Sequence, residues 1–131
     1  MPEPLTTETL RSVFDAFNRH DISGVMKPFA NNCVFFPVAG PLVCGARIEG
    51  TAAIAAAFVK VWTDMPDAQW KEHRHFLAGD RAVSEWLFVG TNAEGMRIEA
   101  EGADLFTHSD GLITVKQAFR KSRPPFKVNA S

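Results

Sequence analysis

The sequence predicts an α+β domain, because its first half carries apolar residues at helical spacing and its second half carries four long strand-like segments joined by turn residues. Helices covering one face of an antiparallel sheet satisfy that order. Leu10, Val13, Phe14 and Phe17 repeat at helical intervals, Thr6 or Thr7 can cap the start, and Asn18 to Asp21 is polar. A first helix is therefore expected over about 7–19. Ser23 is placed to cap a short second helix carrying Val25, Met26 and Phe29, with Pro28 tolerated near its first turn. Cys33 to Val38 reads as a strand and Gly40 to Gly50 as a loop. Thr51 caps a third helix from Ala52 to about Asp64, with Ile54, Phe58, Val61 and Trp62 apolar and Pro66 beyond its end. Trp70–Ala78, Arg81–Thr91, Arg97–His108 and Leu112–Lys121 follow, separated by Gly79-Asp80, Asn92 to Gly95 and Ser109-Asp110-Gly111. Each connector has turn chemistry, so an antiparallel meander is expected.

At 131 residues, 46% hydrophobic and 22% charged, the chain has the length of one domain spanning 1–131, with a core that needs no metal or disulfide staple. Met1 to Glu8 lacks the basic and apolar regions of a secretory signal, and the longest apolar run, Ala52 to Val59, is too short to cross a bilayer. A cytoplasmic protein without membrane partners is expected. Cys33 and Cys44 have no CxxC spacing and read as thiols rather than zinc ligands. Fourteen basic residues against fifteen acidic ones give a net charge of -1 and no drive toward nucleic acid. Five of the bases, Lys116, Arg120, Lys121, Arg123 and Lys127, follow the last acid, Asp110. They read as a solvated strand face ending in a loose basic tail over 122–131, with an anion site the less common alternative.

The segments AFNRHDISGVMKPFANN (16–32), GTAAIAAAF (50–58), GDRAVSEWLFVGT (79–91) and ADLFTHSDGLITVKQAFR (103–120) resemble the nuclear transport factor 2-like superfamily, nearest to SnoaL-like polyketide cyclases and ketosteroid isomerases. The resemblance implies a cone-shaped, strongly bent sheet wrapped around the N-terminal helices, a cystatin-like roll. It also implies an apolar pocket and a homodimer formed through the exposed sheet face. Carried over residue by residue, the oxyanion-hole acid of ketosteroid isomerases falls on Asp104, but their tyrosine falls on Val13 and their base on Pro37. The working groups of limonene epoxide hydrolase fall on Trp86, Phe88 and Ala118. Both mechanisms are thereby disfavoured. The single acid/base aspartate of SnoaL-like cyclases corresponds to Asp104, whereas a histidine common at the end of the preceding strand is replaced by Asn92.

Strand alternation puts Gly102, Asp104, Phe106 and His108 on one face, and Trp86, Phe88 and Gly90 on one face of the neighbouring strand. A carboxyl among Phe106, Phe88 and Trp86 would be desolvated and held protonated as a general acid. A three-residue Ser109-Asp110-Gly111 loop would set Lys116 opposite Asp104 and hold it ionised in a salt bridge, while a two-residue turn would set Gln117 there. Both readings of Asp104 stand. Lys116 and His108 are its candidate assistants, and Val13, Phe17, Phe35, Pro37, Trp62, Trp86, Phe88 and Phe106 are expected, by the resemblance, to line the ligand pocket. Phe14, Phe29, Phe58 and Phe76 are expected to be core, and Glu85, Glu99 and Glu101 to face outward. His73 and His75 share a strand face without a third ligand, so no metal or other cofactor is expected. His20 reads as a helix-terminal residue. Two functions follow: acid/base isomerase or cyclase work on a hydrophobic carbonyl compound through Asp104, or non-catalytic binding or assembly by the same fold.

Overall fold

A computed structural model describes residues 3–128; Met1, Pro2 and positions 129–131 of the expected tail lie outside the described residues. Helix α1 (Thr7–Arg19) starts at a reciprocal cap in which the Thr6 hydroxyl accepts the Thr9 N–H and the Thr9 hydroxyl accepts the Thr6 N–H. It buries Leu10, Val13, Phe14, Ala16 and Phe17 on one face. Helix α2 (Ile22–Met26) is capped by Asp21, not Ser23: the Asp21 carboxylate accepts the Gly24 N–H at 3.2 Å. A carboxylate satisfies that orphan donor and also complements the helix dipole, which a hydroxyl does less well. Pro28 consequently falls beyond the helix, where its carbonyl accepts the Ile113 N–H at 2.7 Å. Helix α3 (Thr51–Asp64) starts at Gly50 with no side-chain cap, so Thr51 is its first residue rather than its cap.

The strands are β1 (Phe29–Phe36), β2 (Ile48–Glu49), β3 (Gln69–Ala78), β4 (Arg81–Thr91), β5 (Arg97–Ser109) and β6 (Leu112–Arg120), in the spatial order β2-β1-β6-β5-β4-β3. Strands β3 to β6 form the expected meander, but β1 runs parallel to β6. The curved, unclosed sheet is therefore mixed rather than wholly antiparallel. The long path through α3 and four strands between β1 and β6 is what permits a parallel pairing.

Bulges bend this sheet and reassign its faces. In β3 the register with β4 shifts by one residue between Lys71 and Arg74, with Glu72 held at a φ of 55°. Trp70 before the shift and His73 and His75 after it all turn toward the helices. Phe76, expected in the core, is turned outward by the same shift and is 54% exposed. In the β5–β6 hairpin Asp110 and Gly111 both have positive φ, which marks a two-residue turn, and Thr114 is then an extra residue in β6. The core packs Leu10, Phe14, Ile54 and Phe58 of the helices against Ala82, Phe88, Phe106 and Ile113 of the sheet.

The described part of the tail lies against the sheet. Beyond the end of β6 it continues along β5, where Arg97 and Phe126 exchange backbone hydrogen bonds at 2.7 and 3.0 Å. Arg123 donates to the Glu99 carbonyl and lies over the Phe126 ring at 4.5 Å. Open backbone groups at the start of β5 supply these partners, a signal that tail composition does not carry. Among the described residues no helix is long and apolar enough to cross a membrane.

Candidate functional site

Between α1, α3 and the inner face of β1, β4 and β6 lies a cavity of about 190 Å³. Its wall is mostly apolar, with Phe17, Phe35, Phe58, Trp70, Trp86 and Phe88 contributing rings. Among the described residues, Lys116 and Arg120 are its only charged lining residues. Both reach it because the extra residue Thr114 puts Lys116, Ala118 and Arg120 on the same face as buried Ile113.

Lys116 and Asp104 form a buried ion pair at the cavity wall. The Lys116 ammonium donates to Asp104 Oδ1 at 2.9 Å, with side chains 7% and 0% exposed. Asp104 lies opposite Ala118, so neither of the registers expected from the sequence is realised. The lysine stands opposite Phe106 and reaches back along the diagonal, a span its four-carbon stem covers. Its ammonium lies 4.7 Å from the Phe35 ring centre, 5.2 Å from Phe58 and 5.6 Å from Phe17. Three ring faces and one carboxylate thus compensate a cation removed from water.

The other Asp104 oxygen, Oδ2, accepts the Trp86 indole N–H at 2.9 Å. Trp86 can lie flat enough to do so because its cross-strand partner is Gly102. A methyl group there would run into the indole ring and the Phe119 carbonyl. Asp104 is therefore sealed beneath Trp86 and Lys116, and it is Lys116 that faces the cavity.

A second polar chain crosses the inner face away from the cavity. His73 Nε2 lies 3.3 Å from Asp15, His73 Nδ1 lies 2.8 Å from His75 Nε2, and His75 Nδ1 lies 2.7 Å from the Ser84 hydroxyl. Phe14 packs on both imidazoles. Burial, then the neighbouring His73 and Arg11, push His75 down to about 4, against the opposing pull of Asp15 and Glu8. The folded state thus refuses a proton that the unfolded chain accepts near pH 6.5, and stability falls as pH drops from about 6.5 to about 4. Because the group is only partly buried, we expect a loss of roughly 1–2 kcal/mol across that window. Urea unfolding at pH 7 and 4.5 checks this: His75→Gln should flatten the difference, and an unchanged slope in the variant would exclude His75 as its source. Among the described residues no three His, Cys, Asp or Glu side chains converge as metal ligands.

A SnoaL-like domain family matches residues 10–116 of this sequence. The chain belongs to that family. No curated protein matches it. Among solved structures, this SnoaL-like domain is similar to a provisionally assigned polyketide cyclase from Xanthomonas campestris pv. campestris, at 23% identity and a TM-score of 0.75, covering 88% of this chain and 89% of that one. An NTF2-like protein of unknown function from Mesorhizobium loti is 28% identical with a TM-score of 0.71, again covering 88% and 89%. TerC, crystallised with polyporic acid, is 19% identical with a TM-score of 0.73, covering 87% and 89%.

Within this SnoaL-like domain the sequence-derived pocket set divides in two. Phe17, Phe35, Pro37, Trp86 and Phe88 border the cavity, whereas Val13, Trp62 and Phe106 are packed into the core away from it. Trp62 turns instead to stack on His20 at 4.9 Å, and His20 ends α1 in a left-handed conformation with its ring 3.2 Å from the Ala68 carbonyl. His108 does not reach the cavity, and its Nε2 is buried without a partner among the described residues. Phe58, read as core, forms cavity wall as well, and Trp70 and Arg120 were missed as lining residues. The bulges at Glu72 and Thr114 decide those positions, and simple alternation has no term for an added residue.

Proposed function

We propose that this domain binds an apolar, ring-bearing carbonyl compound in the 190 Å³ cavity and polarises its oxygen with the Lys116 ammonium. The supporting observation is the placement of Lys116 at the wall, held from behind by Asp104 and from the sides by three rings. A cation fixed in a water-poor site stabilises negative charge as it develops on an enol or enolate oxygen, which is the need of isomerase- or cyclase-type chemistry. Asp104 acts through Lys116 as its positioning group rather than as a free acid. Arrangement as a single folded unit, and small-molecule binding by a relative crystallised with polyporic acid, are consistent with this reading.

A second reading is favoured by one observation: among the described residues no carboxylate or imidazole lines the cavity to accept a proton. Binding without turnover fits that lining, with the domain serving as a carrier or assembly module. Titration with a panel of polycyclic aromatic ketones, followed by Trp fluorescence and by proton–deuterium exchange at the carbon next to the carbonyl, separates the two. Exchange that disappears in Lys116→Met supports catalysis; binding without exchange supports the carrier; absence of any binding removes both. We further propose a cytoplasmic homodimer whose contact is the outer sheet face, where Phe76, Leu77 and Phe119 are exposed. Light scattering that returns only monomer mass would overturn the dimer.

A further inference from the structure

The two cations of the cavity differ in one respect. Lys116 is matched by Asp104, so the deep end carries no net charge. Arg120 stands four residues further along β6 on the same face, about 13 Å of strand away. Its guanidinium lies 5.0 Å from the Phe88 ring centre, and no ion pair or hydrogen bond among the described residues engages it. Burial holds its pKa below the ordinary arginine value, a sign that water compensates the charge poorly. A planar fork of five donors, stacked on a ring and left open, is suited to receive two oxygens side by side.

Arg120 also stands at a boundary. Together with Pro37, Val38, Trp86 and Ala118 it borders both the inner cavity and a wider cleft of about 1020 Å³ on the sheet's other side. Of the three acids that line that cleft, Glu85 is paired with Arg74 at 3.6 Å, and neither Glu72 nor Glu101 forms an ion pair with Arg120. A ligand seated in the cavity would therefore present one end to a charge-neutral lysine–aspartate pair and the other to an uncompensated guanidinium.

We propose that the cavity's ligand is a monoanion, an aromatic ketone bearing a carboxylate or an equally acidic oxygen pair, with its neutral carbonyl at Lys116 and its anionic group on Arg120. This rests on the cavity-binding reading above and adds the charge of the substrate class to it. Arg120 is a binding and specificity residue in this arrangement: it fixes which end of the molecule enters first. An ester or amide of the same skeleton leaves the guanidinium unpaired beside an apolar group, so it loses affinity.

Isothermal titration calorimetry of the whole chain with 4-benzoylbenzoate and with its methyl ester tests this at pH 7. The expected result is that the carboxylate binds about ten- to hundred-fold more tightly than the ester. Arg120→Met, which keeps an apolar stem over Phe88, should erase that preference, weakening the acid while the ester binds at least as tightly as to the native chain, and Arg120→Lys should restore part of it. Equal affinities for acid and ester in the native chain would overturn the anion proposal and leave the cavity reading standing. A preference for the acid that survives Arg120→Met would overturn it as well, by placing the anion elsewhere. Failure of both compounds to bind would remove the cavity reading and this proposal with it. Circular dichroism and the unfolding midpoint of each variant identify any loss due to misfolding, and Arg120→Lys then carries the test.

Discussion

Lys116→Met is expected to destabilise the domain by about 3–5 kcal/mol, although methionine fills nearly the same volume among Phe17, Phe35 and Phe58. The loss comes from the partner left behind: Asp104 is wholly buried, and without the ammonium its Oδ1 has no other donor among the described residues. The Trp86 N–H satisfies only Oδ2. Removing both charges is a different experiment. Asp104→Leu combined with Lys116→Met should recover most of the stability, because a well-packed apolar pair avoids the desolvation that a buried ion pair incurs. Denaturant unfolding of the two single variants and the double variant measures this directly. If the single lysine variant unfolds at the native midpoint, the pair is not the buried ionic contact described.

The second large effect is expected at Phe106. Its ring is fully buried, opposite Ala82 on one side and Lys116 on the other, and it does not border the cavity. Phe106→Ala should cost about 3–5 kcal/mol through lost transfer energy and the void left behind. For a domain of this size that is a fall in Tm of the order of 10 °C or more. Phe88→Ala is the informative comparison, since that ring touches both the core and the ligand space. Ligand affinity measured below the transition should survive the Phe106 change and fail with the Phe88 change. Loss of affinity in both would mean that Phe106 is a wall residue after all.

Much of the architecture was legible in the sequence because it is written in local signals. The capping threonine at Thr6 or Thr7, the Leu10/Val13/Phe14/Phe17 stripe and the turn residues between strands each act within a few residues, and the helices and the four-strand meander follow from them. The partnership of β1 with β6 depends on contacts across most of the chain and leaves no local trace. The same division holds at the site. Asp104 and Lys116 were recognisable as a pair because strand parity and hairpin pairing brought both residue types to one neighbourhood. The register that joins them was not recognisable, since two-residue and three-residue turns were weighed without a bulge. Phe76 turns outward for that reason on β3, and Val13, Trp62 and Phe106 lie in the core beside the cavity because family-level correspondence says nothing about how a side chain of given size fills this particular core.

Thr114 carries a consequence beyond its own strand. A period-2 strand has a phase, and one inserted residue inverts it for everything downstream. Regular alternation from Ile113 onward, with Thr114 paired in the ladder instead of bulged, would exchange Lys116, Ala118 and Arg120 for Val115, Gln117 and Phe119 along the interior. The chamber's two cations would then be replaced by an amide and hydrocarbon without any substitution having occurred. Chemistry in such a fold can thus diverge through the gain or loss of a bulge in a hairpin, and relatives with the same residue letters in this stretch need not share a binding preference.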